Sequence, residues 1–279
     1  MKNRIIAFAS TLMLTTLILS CSSDDDNTPA APEGVVSAER YKDVKSANRE
    51  INSVVQGAFN NPSRTSRNFI SKNNDCTTVE GAVGSGNGGT ITINFGADCQ
   101  SPDGKPISGK IIVTFTVKEE MSGAIVQMNY TLENFSFDGI TVSGTSVATI
   151  TISEQGGQKF VSTSDYLFAW SDGLRVTSKD TTAVEIVMNQ DTFDFYTLVT
   201  LDTSSEFNNG SVFTSKTTTP LRLESGCEYV VSGTIVTTED SSTSTLEYGD
   251  GTCDNIAILT DADGNETTID LSIEENFVL

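Results

Sequence analysis

Phe135-Ser136-Phe137-Asp138-Gly139-Ile140-Thr141-Val142 reads as two β-strands meeting at a tight turn. Apolar and small polar residues alternate on both sides, and Asp-Gly tolerates the left-handed backbone that a short hairpin demands. The arrangement returns at Phe168-Ala169-Trp170-Ser171-Asp172-Gly173-Leu174-Arg175-Val176. Asp103-Gly104 and Asn209-Gly210 extend the series, with successive turn glycines 34 to 37 residues apart. Near the middle of each interval lies a second turn-like stretch: 119–123, 153–158 and 189–192. Each interval therefore holds two strands and one turn at the opposite edge. Such strands run to ~10–14 residues, against a usual ~5–6.

The faces of these strands can be read in places. Ile111, Val113, Phe115 and Val117 share one face, with Ile112, Thr114, Thr116 and Lys118 opposite. Val184, Ile186 and Met188 share another, as do Phe193, Phe195, Val199 and Leu201. One apolar face and one Thr-rich face mark an antiparallel sheet wetted on one side. The expected fold is mostly β: a long-stranded antiparallel meander, forming a curved open sheet or incomplete barrel. A two-sheet β-sandwich is the alternative. Ile256 to Ile273, around Asp263-Gly264, adds a last hairpin.

A helix is expected at 38–59, packed on the sheet. Tyr41, Val44, Ala47, Ile51, Val54, Val55, Ala58 and Phe59 form one apolar stripe at steps of three and four. Ser37 suits the N-cap, and Asn60-Asn61-Pro62 ends the run.

The chain has five cysteines. Cys76 and Cys99 bracket a strand, a Gly-rich turn (84–89) and a second strand. Cys227 and Cys253 bracket the same pattern around a polar turn at 239–243. The two ends of an antiparallel hairpin lie side by side, so the expected bridges are Cys76–Cys99 and Cys227–Cys253.

Cys21 stands apart. Lys2 and Arg4 precede an apolar run from Ile5 to Leu19, and Ile18-Leu19-Ser20-Cys21 closes it. The run is too short to span a ~30 Å hydrocarbon core. It resembles a bacterial lipoprotein signal peptide with its lipobox. The acidic run Asp24-Asp25-Asp26 behind Cys21 resembles the surface-export signal of Bacteroidetes (flavobacterial) lipoproteins. The resemblance implies a signal peptide at 1–20, lipid attachment at Cys21 and a tether at 21–36. It implies an outer-membrane, lipid-anchored protein at the cell surface, in contact with the membrane through its anchor. The resemblance covers only the first thirty or so residues, and a single β-rich domain is expected over 37–279.

Composition excludes more than it assigns. The formal charge is −20, and becomes −22 when Lys2 and Arg4 leave with the signal peptide. Nucleic acid is thereby disfavoured as a partner. The absence of histidine removes Ser-His-Asp chemistry and the common zinc sites. No Gly-rich phosphate loop joins a strand to a helix. No cofactor and no catalytic residue are expected, and the protein is read as a non-enzyme. Tyr166 and Trp170, on one strand face with Phe168, are candidate ligand-binding aromatics, although aromatics at period two are usually core. Asp261, Asp263 and Asn265 form a weak calcium candidate that lacks the spacing of an EF-hand. Three functions survive: a non-catalytic binding or adhesion protein for glycan or protein, a carrier of an apolar ligand such as lipid, and a carboxylate-based hydrolase.

Overall fold

A computed structural model describes residues 38–60, 76–81, 88–96, 98–120, 123–154, 157–188 and 194–273. The expected signal peptide, Cys21, the tether and Phe193 lie outside these residues. Helix α1 spans Ala38–Asn60. Thirteen strands follow: β1 (Thr77–Glu80), β2 (Gly88–Phe95), β3 (Ile107–Glu120), β4 (Gly123–Phe137), β5 (Ile140–Ser153), β6 (Gln158–Ala169), β7 (Arg175–Met188), β8 (Phe195–Phe207), β9 (Val212–Glu224), β10 (Val230–Glu239), β11 (Ser242–Asp250), β12 (Ile256–Thr260) and β13 (Glu266–Asp270). They form one antiparallel sheet in strict chain order, open at β1 and β13. The sandwich alternative is overturned. Every strand pairs with its chain neighbour, so the apolar face is covered by curling and by the helix, without a second sheet.

The long strands arise from sustained alternation. In β3 the residues Ile111, Val113 and Phe115 are buried while Thr114 and Thr116 are exposed. The turns use two geometries. At Asp138-Gly139, Phe137 pairs with Ile140 and both turn residues have positive φ, 52° and 80°. That is a two-residue hairpin loop. At Asp172-Gly173, Trp170 N–H donates to Leu174 O and Gly173 N–H donates to Trp170 O. Three residues form the loop there, closed by the glycine at φ 90°. The loops at 104, 210 and 264 repeat this bonding.

Turns 103–104, 138–139, 172–173 and 209–210 all lie at one edge of the sheet, the first edge; the opposite ends of β3–β9 make the second edge. The helix begins at the first edge, where the Arg40 guanidinium pairs with Asp172 at 3.1 Å. Asp43 is within electrostatic reach of Lys105, Asp138 and Trp170, and Tyr41 stacks on Phe213 of β9 at 4.9 Å. From β3 to β9 a flat sheet would cover ~29 Å, at ~4.8 Å per strand. Tyr41 and Asp43 are ~3 Å apart along the helix axis. The sheet therefore curls around the helix.

The helix stripe fills the trough so formed. Val44, Ala47, Ile51, Val54 and Val55 are 0–1% exposed and join one core with residues of β2 to β9. A second core, built on Leu221, Val230, Ile235, Tyr248, Ala257 and Leu271, serves β9 to β13. The expected disulfides are both present, with sulfur separations of 2.02 Å for Cys76–Cys99 and 2.03 Å for Cys227–Cys253. The first closes the β1–β2 hairpin at the first edge, and the second ties the start of β10 to the end of β11 at the second edge. Loops of this size contribute about 3 kcal/mol each by chain entropy.

Candidate functional site: the inner face of the sheet

The register sorts the inner face into rows running across the strands. Nearest the first edge, Phe135, Val142, Phe168, Val176 and Phe207 form a continuous apolar row. Two rows deeper, Tyr130, Ser146, Ser164, Asp180, Thr203 and Ser215 form a polar row. Beyond it, Val117, Val126, Ile150, Phe160, Val184, Val199 and Leu221 restore an apolar row. A polar belt thus lies between two apolar bands.

Asp180 centres the belt. Its Oδ2 accepts hydrogen bonds from Asn48 Nδ2 of the helix at 2.8 Å, from Ser178 Oγ at 3.1 Å and from Ser164 Oγ at 3.4 Å. Burial pushes its carboxyl above the usual range, while bonds from Thr203, Ser178, Asn48 and Ser164 oppose the shift. Ser178 and Ser205, both fully buried, bond each other at 2.9 Å. Lys45 lies over the Tyr41 ring at 5.0 Å. Burial lowers its ammonium to about 8, and Asp180 pulls the other way. Burial raises the Tyr41 and Tyr166 hydroxyls, with Ser215 and Ser146 respectively opposing. On the other flank of the helix, burial lifts the Glu50 carboxyl to about 6, helped by Asp103 and opposed by Arg49 and Lys105. These groups are spread along a helix seam, with the Ser178 and Ser164 hydroxyls turned to Asp180. The belt holds the helix to the sheet.

The sequence candidates fall elsewhere. Tyr166 and Trp170 are 2% and 8% exposed. Tyr166 meets Phe168 edge-on, Trp170 lies alongside Phe207, and the Arg40 guanidinium sits 5.3 Å above the Trp170 ring. Tyr166 on β6 and Trp170 just past its end belong to the core that the helix stripe joins. Both side chains lie in the core, as aromatics at period two usually do. Asp261 caps the β12–β13 loop: its Oδ1 accepts from the N–H groups of Asp263 and Asn265 at 2.9 and 2.8 Å. The Asn265 side chain leads in holding the Asp261 carboxyl below the usual range. Asp263 and Asn265 thus belong to a turn. Among the described residues no three carboxylates or thiols converge well enough to hold a metal ion.

Asn48 and Asp180 escaped the reading of the sequence, although each carries a signal. Asn48 interrupts the helix stripe, and Asp180 interrupts the inward parity of β7 between Val176 and Val184. Two polar residues on two buried faces ask to be paired.

Apolar side chains of the same inner face reach solvent at the second edge. Ile152 is 39% exposed, Met188 38% and Phe195 44%. Met188 pairs with Phe195, and Ile152 and Ile186 flank Gln158 in one row. The cause is a mismatch of lengths. A 23-residue helix extends ~34 Å at ~1.5 Å per residue, and a 14-residue strand such as β7 extends ~46 Å at ~3.3 Å per residue. A crevice of about 170 Å³ lies at this edge, lined among others by Ser153, Gly157, Gln158 and Ile186.

Comparison of the chain with models of known families, with curated proteins and with solved structures finds no match.

Proposed function

We propose that this is a lipid-anchored cell-surface protein with a non-catalytic binding role, and that it meets its partner with the apolar rim at the second edge. One observation carries the reading. The inner face is covered by the helix over most of its length, yet Ile152, Met188 and Phe195 of that face emerge into solvent on a chain of formal charge −20. Apolar side chains grouped on an otherwise charged surface favour an interaction site. The anchor part rests on the lipobox ending at Cys21 and the acidic run behind it. A carrier would need enclosed apolar space, and the helix stripe fills the trough where a ligand would lie. Tyr166 and Trp170, the candidate ligand-binding aromatics, lie in the core and offer a glycan no exposed ring.

A photo-crosslinking side chain placed at Phe195, and separately at Leu167 on the outer face, tests this on intact cells. Adducts formed from position 195 and not from 167 support the rim. Adducts of equal yield from both, or from 167 alone, overturn it. Protease added to intact cells should remove the domain, and a domain left whole overturns the surface location.

A further inference from the structure

We infer that the rim at the second edge takes a basic amphipathic helix from a partner protein. The inference rests on the rim reading above and adds the chemistry of the partner. Size is the first argument. From Ile152 on β5 to Phe195 on β8 the rim crosses three strand spacings, ~14 Å at ~4.8 Å each. Three helical turns present an apolar stripe of ~16 Å. Charge is the second. Exposed Glu119, Glu120 and Glu154 stand at the same edge, with Lys118 beside the first two. Of the cations on β6 and β9 near the rim, Lys159 pairs with Glu185 at 3.4 Å and Arg222 with Glu224 at 2.6 Å. An apolar centre bordered by carboxylates complements a helix with an apolar stripe flanked by Lys or Arg. Position in the chain is the third. The upstream chain joins at the first edge, where Arg40 meets Asp172, which leaves the second edge as the one remote from the joining point.

The test uses the purified domain and three fluorescent 18-residue peptides: an amphipathic Leu/Lys helix, its Leu/Glu counterpart and a Lys/Ser peptide with no apolar stripe. The Leu/Lys helix should bind, and the Met188→Ser/Phe195→Ser variant should weaken it about tenfold, the loss expected for two partly exposed apolar anchors. Val147→Ser/Leu167→Ser, on the outer face, should leave binding unchanged. Ile152→Ser serves as a second rim variant if the double change impairs folding, which Trp170 emission reports. Equal, rim-dependent binding of the Leu/Glu helix overturns the basic partner and leaves the rim reading standing. Binding of Leu/Lys that ignores all rim variants overturns both. Lys/Ser binding as tight as Leu/Lys also overturns the inference, because net charge alone then accounts for it.

Discussion

Removing the bond between Asn48 and Asp180 should cost stability in a way that identifies the pair. The two residues are 132 positions apart, and their 2.8 Å bond joins the helix to the middle of the sheet. A hydrogen bond to a charged group contributes about 1.5–3 kcal/mol. Asp180 is half-buried and retains Ser178 and Ser164 as donors, so the lower end, about 1.5 kcal/mol, is expected for this bond. A double-mutant cycle of Asn48→Ala and Asp180→Ala isolates it, because burial terms proper to each residue cancel. Urea unfolding followed by Trp170 emission supplies the four free energies, since this buried side chain is the only tryptophan. The coupling should be about 1.5 kcal/mol. Asn48→Ala combined with Asp202→Ala should be additive, because Asp202 bonds Lys216 on the outer face. A coupling below about 0.5 kcal/mol, the scatter of independent sites, would refute the placement of the helix.

Ile51→Ala, at a position with 0% exposure, should cost about 2–4 kcal/mol, and Leu167→Ala on the outer face under about 0.5, both read from urea midpoints. Burial raises Glu50 from 4.5 to about 6, so its contribution to stability is present below pH 4.5 and is lost as pH rises through about 6. Glu50→Gln should flatten the stability curve in that window and gain about 1 kcal/mol at neutral pH after allowance for screening; an unchanged slope contradicts this. Gly139 has φ 80° and open space where a Cβ would stand. Gly139→Ala should therefore cost about 1–2 kcal/mol through backbone conformation alone, and Gly139→Asn less, as thermal melts would show.

Much of the fold was legible because it is local. Asp-Gly dipeptides at regular spacing announce hairpins, and a meander needs only neighbouring strands to pair. The cysteine pairs followed from the same locality, since each bridges the ends of a hairpin pattern. Curling was legible as a curved open sheet or incomplete barrel, with a sandwich as the alternative, because closure depends on accumulated twist and on what fills the trough. The candidate site was harder. Period two placed Tyr166 and Trp170 on one face but did not say which face the helix covers. The polar belt depends on the register of six strands, and a one-residue slip in any of them would turn that strand's belt residue outward, Asp180 in the case of β7. The rim follows from a difference in length between helix and strands, which a list of elements does not weigh.

The most direct test of the account is oxidation of Met188 against Met128 by dilute peroxide, followed by peptide mass analysis. Met188 stands in the rim at 38% exposure and Met128 in the core at 3%. In the free protein Met188 should oxidise readily while Met128 stays protected, and a saturating Leu/Lys peptide should then protect Met188. Equal oxidation of the two methionines, or a bound peptide that leaves Met188 reactive, would contradict the account.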